Sequence, residues 1–224
     1  MADIANNLAE VHARIDAACR RAGRARSEVQ LVAVTKQRPL EDVLELIRLG
    51  ENHLGENRAQ EVRDRVPLVQ EGPTWHFIGR LQSNKAKYLP GLVTWVHSVD
   101  SFALAESLSK AYSNAGTSAK ILLQVNISGE AAKAGSDAAG ARALLDSVVG
   151  LPALTVVGLM TMAPYADDPE LARPVFRGLR VLRDTLAKES GVALPELSMG
   201  MSGDYEVAIE EGATLVRVGS ALFE

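Results

Sequence analysis

The apolar run VQLVAVT (29–35) ends on Lys36, and the chain then turns toward a helix with Pro39 in its first turn. A lysine at a strand end ordinarily snorkels into water. Held among apolar walls it loses part of its preference for charge, and a neutral amine attacks an aldehyde to form a Schiff base. Two later segments read as an anion seat. SMGMSGDYEVAI sets Gly200, Ser202 and Gly203 just before a helix, so that backbone N–H groups and a hydroxyl face the positive end of its dipole. LVRVGSALF adds Gly219 and Ser220. Within it, strand alternation puts Leu215, Arg217 and Gly219 on one face and Val216 and Val218 on the other. A guanidinium that looks into a core needs an acceptor there, and a pyridine nitrogen would serve.

These groups must be positioned by an alternating chain. After an opening helix (about Ile4 to Ala22, closed by Gly23) come eight β-like runs: VQLVAVT, NHLGEN, WHFIG, TWVHSV, KILLQVN, LTVVGLMTM, ELSMG and TLVRVG. Helix punctuation separates them: Gly50 as a stop, Ser101 before FALAESLSKAYSNAG, and Pro169 opening a long helix that Gly191 ends. In that helix Leu171, Val175, Leu179, Leu182 and Leu186 paint one apolar face. Strands apolar nearly throughout belong to parallel sheets covered on both faces. Eight β/α units in about 200 residues predict a single (β/α)₈ barrel over residues 1–224 with an extra N-terminal helix, an open doubly wound sheet being the second choice.

Barrel active sites lie at the C-terminal ends of the strands, and phosphates sit in the loops after strands seven and eight. Those ends are polar here: Lys36; Glu56 and Asn57; His76; His97 and Ser98; Gln124 and Asn126; Thr161; Ser202; and Arg217, Gly219 and Ser220. Such a ring predicts a small polar ligand. A phosphate seat joined to a Schiff-base lysine predicts pyridoxal 5′-phosphate (PLP).

Charge and composition exclude other classes. The net charge of −4 argues against a polyanion partner, and Arg14, Arg20, Arg21, Arg24 and Arg26 on the first helix read as a solvated face. Cys19 is the one cysteine, which leaves no disulfide framework or cysteine metal cluster and fits a reducing compartment. No apolar run approaches the roughly 18 residues of a membrane span, and the N-terminus lacks a signal-peptide pattern. The expectation is a cytoplasmic, monomeric protein that binds neither nucleic acid nor membrane.

The blocks AVTK, LGEN followed by QE, WHFIGRLQSNK, QVNISGEAAKAG, GLMTMAP, LSMGMSGDYEVAI and VRVGSALF occur in this order. In them the chain resembles the YggS/PROSC family of PLP homeostasis proteins, from LVAVTK to the C-terminus. That family resembles the barrel domain of alanine racemases and related decarboxylases, the fold-type III arrangement. The resemblance implies that Lys36 holds PLP as a Schiff base, that Ser202, Gly219 and Ser220 bind its phosphate, that Arg217 faces the pyridine nitrogen, and that Asn57 and His76 line the pocket. Arg58 stands where the family usually has tyrosine, and Glu224 where it usually has glycine.

Two functions follow from that resemblance. One is a non-catalytic carrier or regulator in vitamin B6 homeostasis, with PLP-dependent apoenzymes as partners. The alternative is a fold-type III racemase or decarboxylase, which needs a second base opposite the lysine, in the homologous enzymes a tyrosine from a second domain. None of Tyr88, Tyr112, Tyr165 and Tyr205 matches that position, although Tyr165 is nearest a strand end. A cofactor-free class I aldolase using Lys36 is a third possibility, its phosphate seat then taking a sugar phosphate.

Overall fold

All eight apolar runs form parallel strands, and these close in sequence order into a barrel. The structure, a computed structural model, describes residues 3–69, 72–129 and 135–224. The strands are β1 Gln30–Val34, β2 His53–Glu56, β3 Thr74–Phe77, β4 Trp95–Val99, β5 Ala119–Gln124, β6 Leu154–Met160, β7 Glu196–Ser198 and β8 Leu215–Val218. Closure is made by β1 on β8, where Val32 is in register with Arg217. Part of the QVNISGEAAKAG block, Lys133 included, lies outside the described residues.

The helices around the barrel are α1 Ile4–Arg21, α2 Leu40–Arg48, α3 Ala59–Arg65, α4 Phe102–Asn114, α5 Ala138–Val148, α6 Arg173–Ser190, α7 Tyr205–Glu210 and α8 Ser220–Phe223. Their punctuation follows the sequence in outline. Asp3 caps α1 by accepting from the Asn6 N–H, and Gly191 ends α6 at φ +71°, a conformation that costs glycine little. The apolar face of α6 starts later than its spacing suggests. Val175, Leu179 and Leu186 are buried, but Leu171 is 66% exposed because Pro169–Ala172 form a 3₁₀ turn, out of phase with the helix.

The arginines of the first helix are not simply a solvated face. Arg14 and Arg21 pair with Glu206 of α7, Arg21 also with Glu210, and Arg24 donates to the carbonyls of Ile209 and Ala213. They fasten α1 to the segment that follows β7. Apolar burial does the rest, through Leu8, Val11 and Ile15 on the inner side of α1.

Two apolar clusters follow from strand alternation. Outward strand residues such as Leu31, Ala33, Val216 and Val218 join the helices in the larger core. Inward residues Val32, Trp95, Leu122, Val157, Met160 and Leu215 form a smaller cluster inside the barrel. Leu215 therefore points inward and Val216 outward, as the alternation predicts.

Candidate functional site

A cavity of about 950 Å³ opens above the inner cluster, at the C-terminal ends of the strands. Alternation carries polar groups to it. On the first strand Val32 and Val34 are inward, and two residues later Lys36 reaches the cavity wall, while Thr35 between them turns outward to Glu56. Arg217 and Gly219 arrive in the same way from the eighth strand, and Asn57 from the second. Lys36, Asn57, Ser202, Arg217, Gly219 and Ser220 all border this one cavity.

Lys36 is exposed there, as a strand-end lysine ordinarily is, and is not held among the apolar walls that the Schiff-base reading expects. The reason is that β1 stops at Val34, which leaves Lys36 above the rim.

His76 does not reach the cavity. Its register partner on β2 is Gly55, two residues short of Asn57, so the ring lies one layer lower, wholly buried. Ile78, two residues further on, takes the cavity position instead. His76 is one member of a row. Its Nε2 is 2.9 Å from His53 Nδ1, its Nδ1 is 2.9 Å from His97 Nε2, and His97 Nδ1 is 2.8 Å from Ser198 Oγ. Burial drives the pKa values of His76 and His97 well below the ordinary 6.5, and neighbouring positive charge adds to this.

The other polar strand ends divide between ligand-facing and self-satisfied groups. Gln124 lines the cavity. Thr161 donates to the Val125 carbonyl, Ser98 to that of Gly79, and Glu56 turns away from the barrel to Thr35 and Arg65. The expected ring of ligand groups is thus in part a set of internal hydrogen bonds.

The loops expected to form an anion seat meet at one edge of the cavity. Ser202 Oγ accepts from the Gly219 and Ala221 N–H groups at 3.2 and 3.3 Å, which ties the loop after β7 to the one after β8, and Ser202, Gly219 and Ser220 border the cavity there. Gly200 makes the turn before it, at φ +92°, where an added Cβ would stand 2.8 Å from Tyr205 Cα. Gly79 allows a second close approach, since a Cβ there would be 2.1 Å from the Asn57 carbonyl oxygen. That contact gives the FIGR segment a structural role, and Arg80 beside it lines the cavity.

Arg217 is wholly buried at the cavity floor. It donates through Nη1 to Ser198 Oγ at 2.5 Å and through Nη2 to the Thr161 carbonyl at 3.0 Å. Burial pushes its pKa down to about 10 against the pull of Asp204, so it remains a cation at neutral pH. Asp204, raised by burial, accepts from the Met201 N–H at 2.6 Å. Lys36, Arg38, Arg80 and Arg217 face Asp168, Asp204 and Glu224 across the described lining, a positive balance that suits an anion.

The remaining departures also have places. Arg58 is exposed, reaches Glu61 at 3.3 Å and does not line the cavity, whereas Glu224 does, with an oxygen 3.5 Å from Arg38. Lys85 and Lys87 lie in the 3₁₀ turn Ser83–Tyr88, away from the cavity lining. His53, Arg80 and Asp204 were not singled out by sequence reasoning. His53 and Arg80 had a usable signal in their inward parity and in their place after β3.

The residues present fit PLP: an amine for its aldehyde, the Ser202 and Ser220 hydroxyls for its phosphate, a cation at the floor, and the buried, unpartnered Oδ1 of Asn57. Fold and site define a (β/α)₈ barrel of the alanine racemase type, with its pocket at the C-terminal rim. Its neighbours include an alanine racemase from Clostridium difficile, with a TM-score of 0.77 at 14% identity over 98% of this chain and 56% of that one, a likeness of fold. The chain belongs to the family described as alanine racemase, N-terminal domain, whose model matches residues 6–224.

More similar relatives share its length. The chain is 45% identical over 217 residues to the pyridoxal phosphate homeostasis protein of Aquifex aeolicus, covering 96% of this chain and 95% of the other. It is 38% identical to the protein of that name from Escherichia coli, covering 100% and 97%. PipY of Synechococcus elongatus, solved with PLP bound, superposes with a TM-score of 0.86 at 37% identity, covering 99% of this chain and 100% of PipY.

Proposed function

We propose that this chain binds PLP and acts in vitamin B6 homeostasis, holding the cofactor by a Schiff base on Lys36. The observation that carries the reading is the meeting of distant groups on one cavity: Lys36, Arg217, and Ser202 with Gly219 and Ser220. Ser202, Gly219 and Ser220 bind the phosphate, Arg217 faces the pyridine nitrogen, and Asn57 lines the pocket. His76 supports the floor from beneath. When bound, PLP supplies an aldehyde and an electron-withdrawing ring. The naming of full-length relatives and the PLP bound to PipY support the same reading.

The proposed role is that of a carrier or regulator rather than a catalyst. Arg217 donates hydrogen bonds and keeps its proton, which leaves a ring nitrogen beside it unprotonated and the ring a weaker electron sink. Racemisation also requires an acid–base group opposite the lysine. Of the described tyrosines Tyr165 alone borders the cavity, and it is 94% exposed on the rim. Tyr112 instead donates to the Val93 carbonyl in the core. The chain is read as one monomeric domain of the cytoplasm that hands PLP to apoenzymes.

Borohydride reduction of the PLP-loaded protein, followed by peptide mapping, should place a pyridoxyl group on Lys36, and Lys36→Ala should remove it. A label on Lys85, Lys87 or Lys133 would sink the assignment. Exchange of amino-acid α-protons in deuterated water separates the two functions. Lys36-dependent exchange at catalytic rates with alanine, serine, lysine or ornithine would establish the racemase alternative.

A further inference from the structure

The cofactor reading uses Arg217 but leaves unexplained what lies behind it. His53, His76, His97 and Ser198 form an unbroken row through the barrel interior, and Arg217 Nη1 ends it, 2.5 Å from Ser198 Oγ. The row crosses from β2, β3 and β4 to β7 on the opposite wall, with Trp95 stacked on His76 at 5.3 Å between ring centres. Aliphatic side chains would fill this space without polar groups to satisfy. Three imidazoles and a hydroxyl in series call for a reason at the end of the series.

Hydrogen-bond chemistry gives the row one direction. A guanidinium only donates, so Ser198 Oγ accepts from Arg217. The described hydrogen bonds give that oxygen one other partner, His97 Nδ1, which must then accept the serine hydrogen. His97 in turn carries its proton on Nε2 and donates to His76 Nδ1. His76 likewise donates from Nε2 to His53 Nδ1, and His53 keeps its Nε2 proton toward the half-buried outer end of the row. The opposite direction would aim His97 and Arg217 at the same oxygen and leave the buried Ser198 hydrogen without an acceptor.

We propose that His53, His76, His97 and Ser198 are positioning residues for Arg217, a neutral relay that presents one oriented acceptor to the guanidinium and so fixes its place and charge at the cavity floor. This rests on the reading that Arg217 faces the ring nitrogen of PLP. A carboxylate in place of Ser198 would hold the guanidinium too, but would cancel the charge it shows to the cavity. A neutral chain holds it without that cancellation, and Asp204, the acid whose charge acts on Arg217, is engaged by the Met201 N–H.

The test has two arms. In the first, the protein with ¹⁵N-labelled histidine is measured by long-range proton–nitrogen correlation at pH 7.5 (about one pH unit above the ordinary histidine value). His53, His76 and His97 should each show a protonated Nε2 and a bare Nδ1, and an Nδ1–H form at His76 or His97 would overturn the proposal. This arm needs neither a variant nor the cofactor.

In the second arm, Ser198→Ala, Ser198→Thr and Arg217→Met are loaded with PLP labelled with ¹⁵N in the ring. Ser198→Ala should weaken PLP by about tenfold, a lost hydrogen bond to a charged group, and move the ring-nitrogen shift in the same direction as Arg217→Met. Ser198→Thr, which keeps the hydroxyl, should restore both. If Ser198→Ala folds poorly, His97→Gln takes its place and should give the same two changes. A response to Arg217→Met with none to Ser198→Ala or His97→Gln overturns the relay alone. No response to Arg217→Met overturns the assignment of Arg217 to the ring, and the relay's purpose with it.

Discussion

The Arg65 guanidinium lies 2.8 Å from the buried Oε1 of Glu56, and the same group donates to the carbonyl oxygens of Thr35 and Arg38, which flank Lys36. One ion pair outside the barrel therefore clasps the loop that carries the candidate Schiff-base lysine. Breaking such a pair leaves a charge stranded, at about 3–5 kcal/mol when both partners are buried. Arg65 is partly exposed, so Arg65→Met is expected to cost about 3 kcal/mol in urea unfolding and to slow modification of Lys36. Glu56→Gln leaves the Arg65 cation partly exposed and still bonded to the Thr35 and Arg38 carbonyls, and should cost clearly less.

Acid should destabilise the fold through His76 and His97. Their pKa values are depressed in the folded state and ordinary, near 6.5, in the unfolded one. Their contribution is therefore intact above pH 6.5 and lost as pH falls below it, by about 1.4 kcal/mol per pH unit for each ring. Glu56 works the other way. Burial pushes it up to about 7, with Thr35 and Arg65 opposing and Glu61 adding, against an ordinary 4.5. Its contribution is full below pH 4.5 and lost as pH rises through 7. Between pH 5 and 6 the net slope is two histidine protons less one carboxylate proton, or about 1.4 kcal/mol lost per unit of acidification. Glu56→Gln should roughly double that slope in denaturant titrations, and an unchanged slope would refute the assignment.

Ser202→Ala removes the hydroxyl on which the Gly219 and Ala221 N–H groups converge. A hydrogen bond to a charged group is worth about 1.5–3 kcal/mol. PLP should weaken by about ten- to hundredfold, and pyridoxal, which lacks the phosphate, should weaken far less. Equal losses for the two ligands, read by absorbance titration, would mean that Ser202 only shapes the loop.

Gly200→Ala tests the turn beneath the seat. Its Cβ would stand 2.6 Å from Ala208 Cβ at a φ of +92°. Left-handed strain and overpacking each cost on the order of 1–3 kcal/mol. A loss of about 3 kcal/mol in stability is expected, together with weaker PLP binding. A neutral result would show that the loop after β7 can move without cost.

Much of the site was legible along the chain because strands alternate with period two. Arg217 and Gly219 could be placed on an inward face from LVRVGS alone, and Lys36 and Asn57 lie at matching positions past their own strands. His76 and His97 were legible as polar groups of β3 and β4, but not their height. Height depends on register between strands, and the pairing of His76 with Gly55 drops its ring below the cavity. The arginines of α1 were legible as charges only, since their partners Glu206 and Glu210 are about 190 residues away in sequence.

The sequence by itself determined the eight strands, the barrel they predict, and the kinds of chemistry at their ends, because apolar periodicity and turn residues act over a few neighbouring positions. Tertiary structure alone decided which polar strand ends share a cavity and which satisfy one another. His97 and Ser198, 101 positions apart, meet at 2.8 Å only because the closed sheet brings β4 and β7 to face each other across its interior. No local pattern records such a meeting, since it is closure of the barrel that sets the distance between opposite walls.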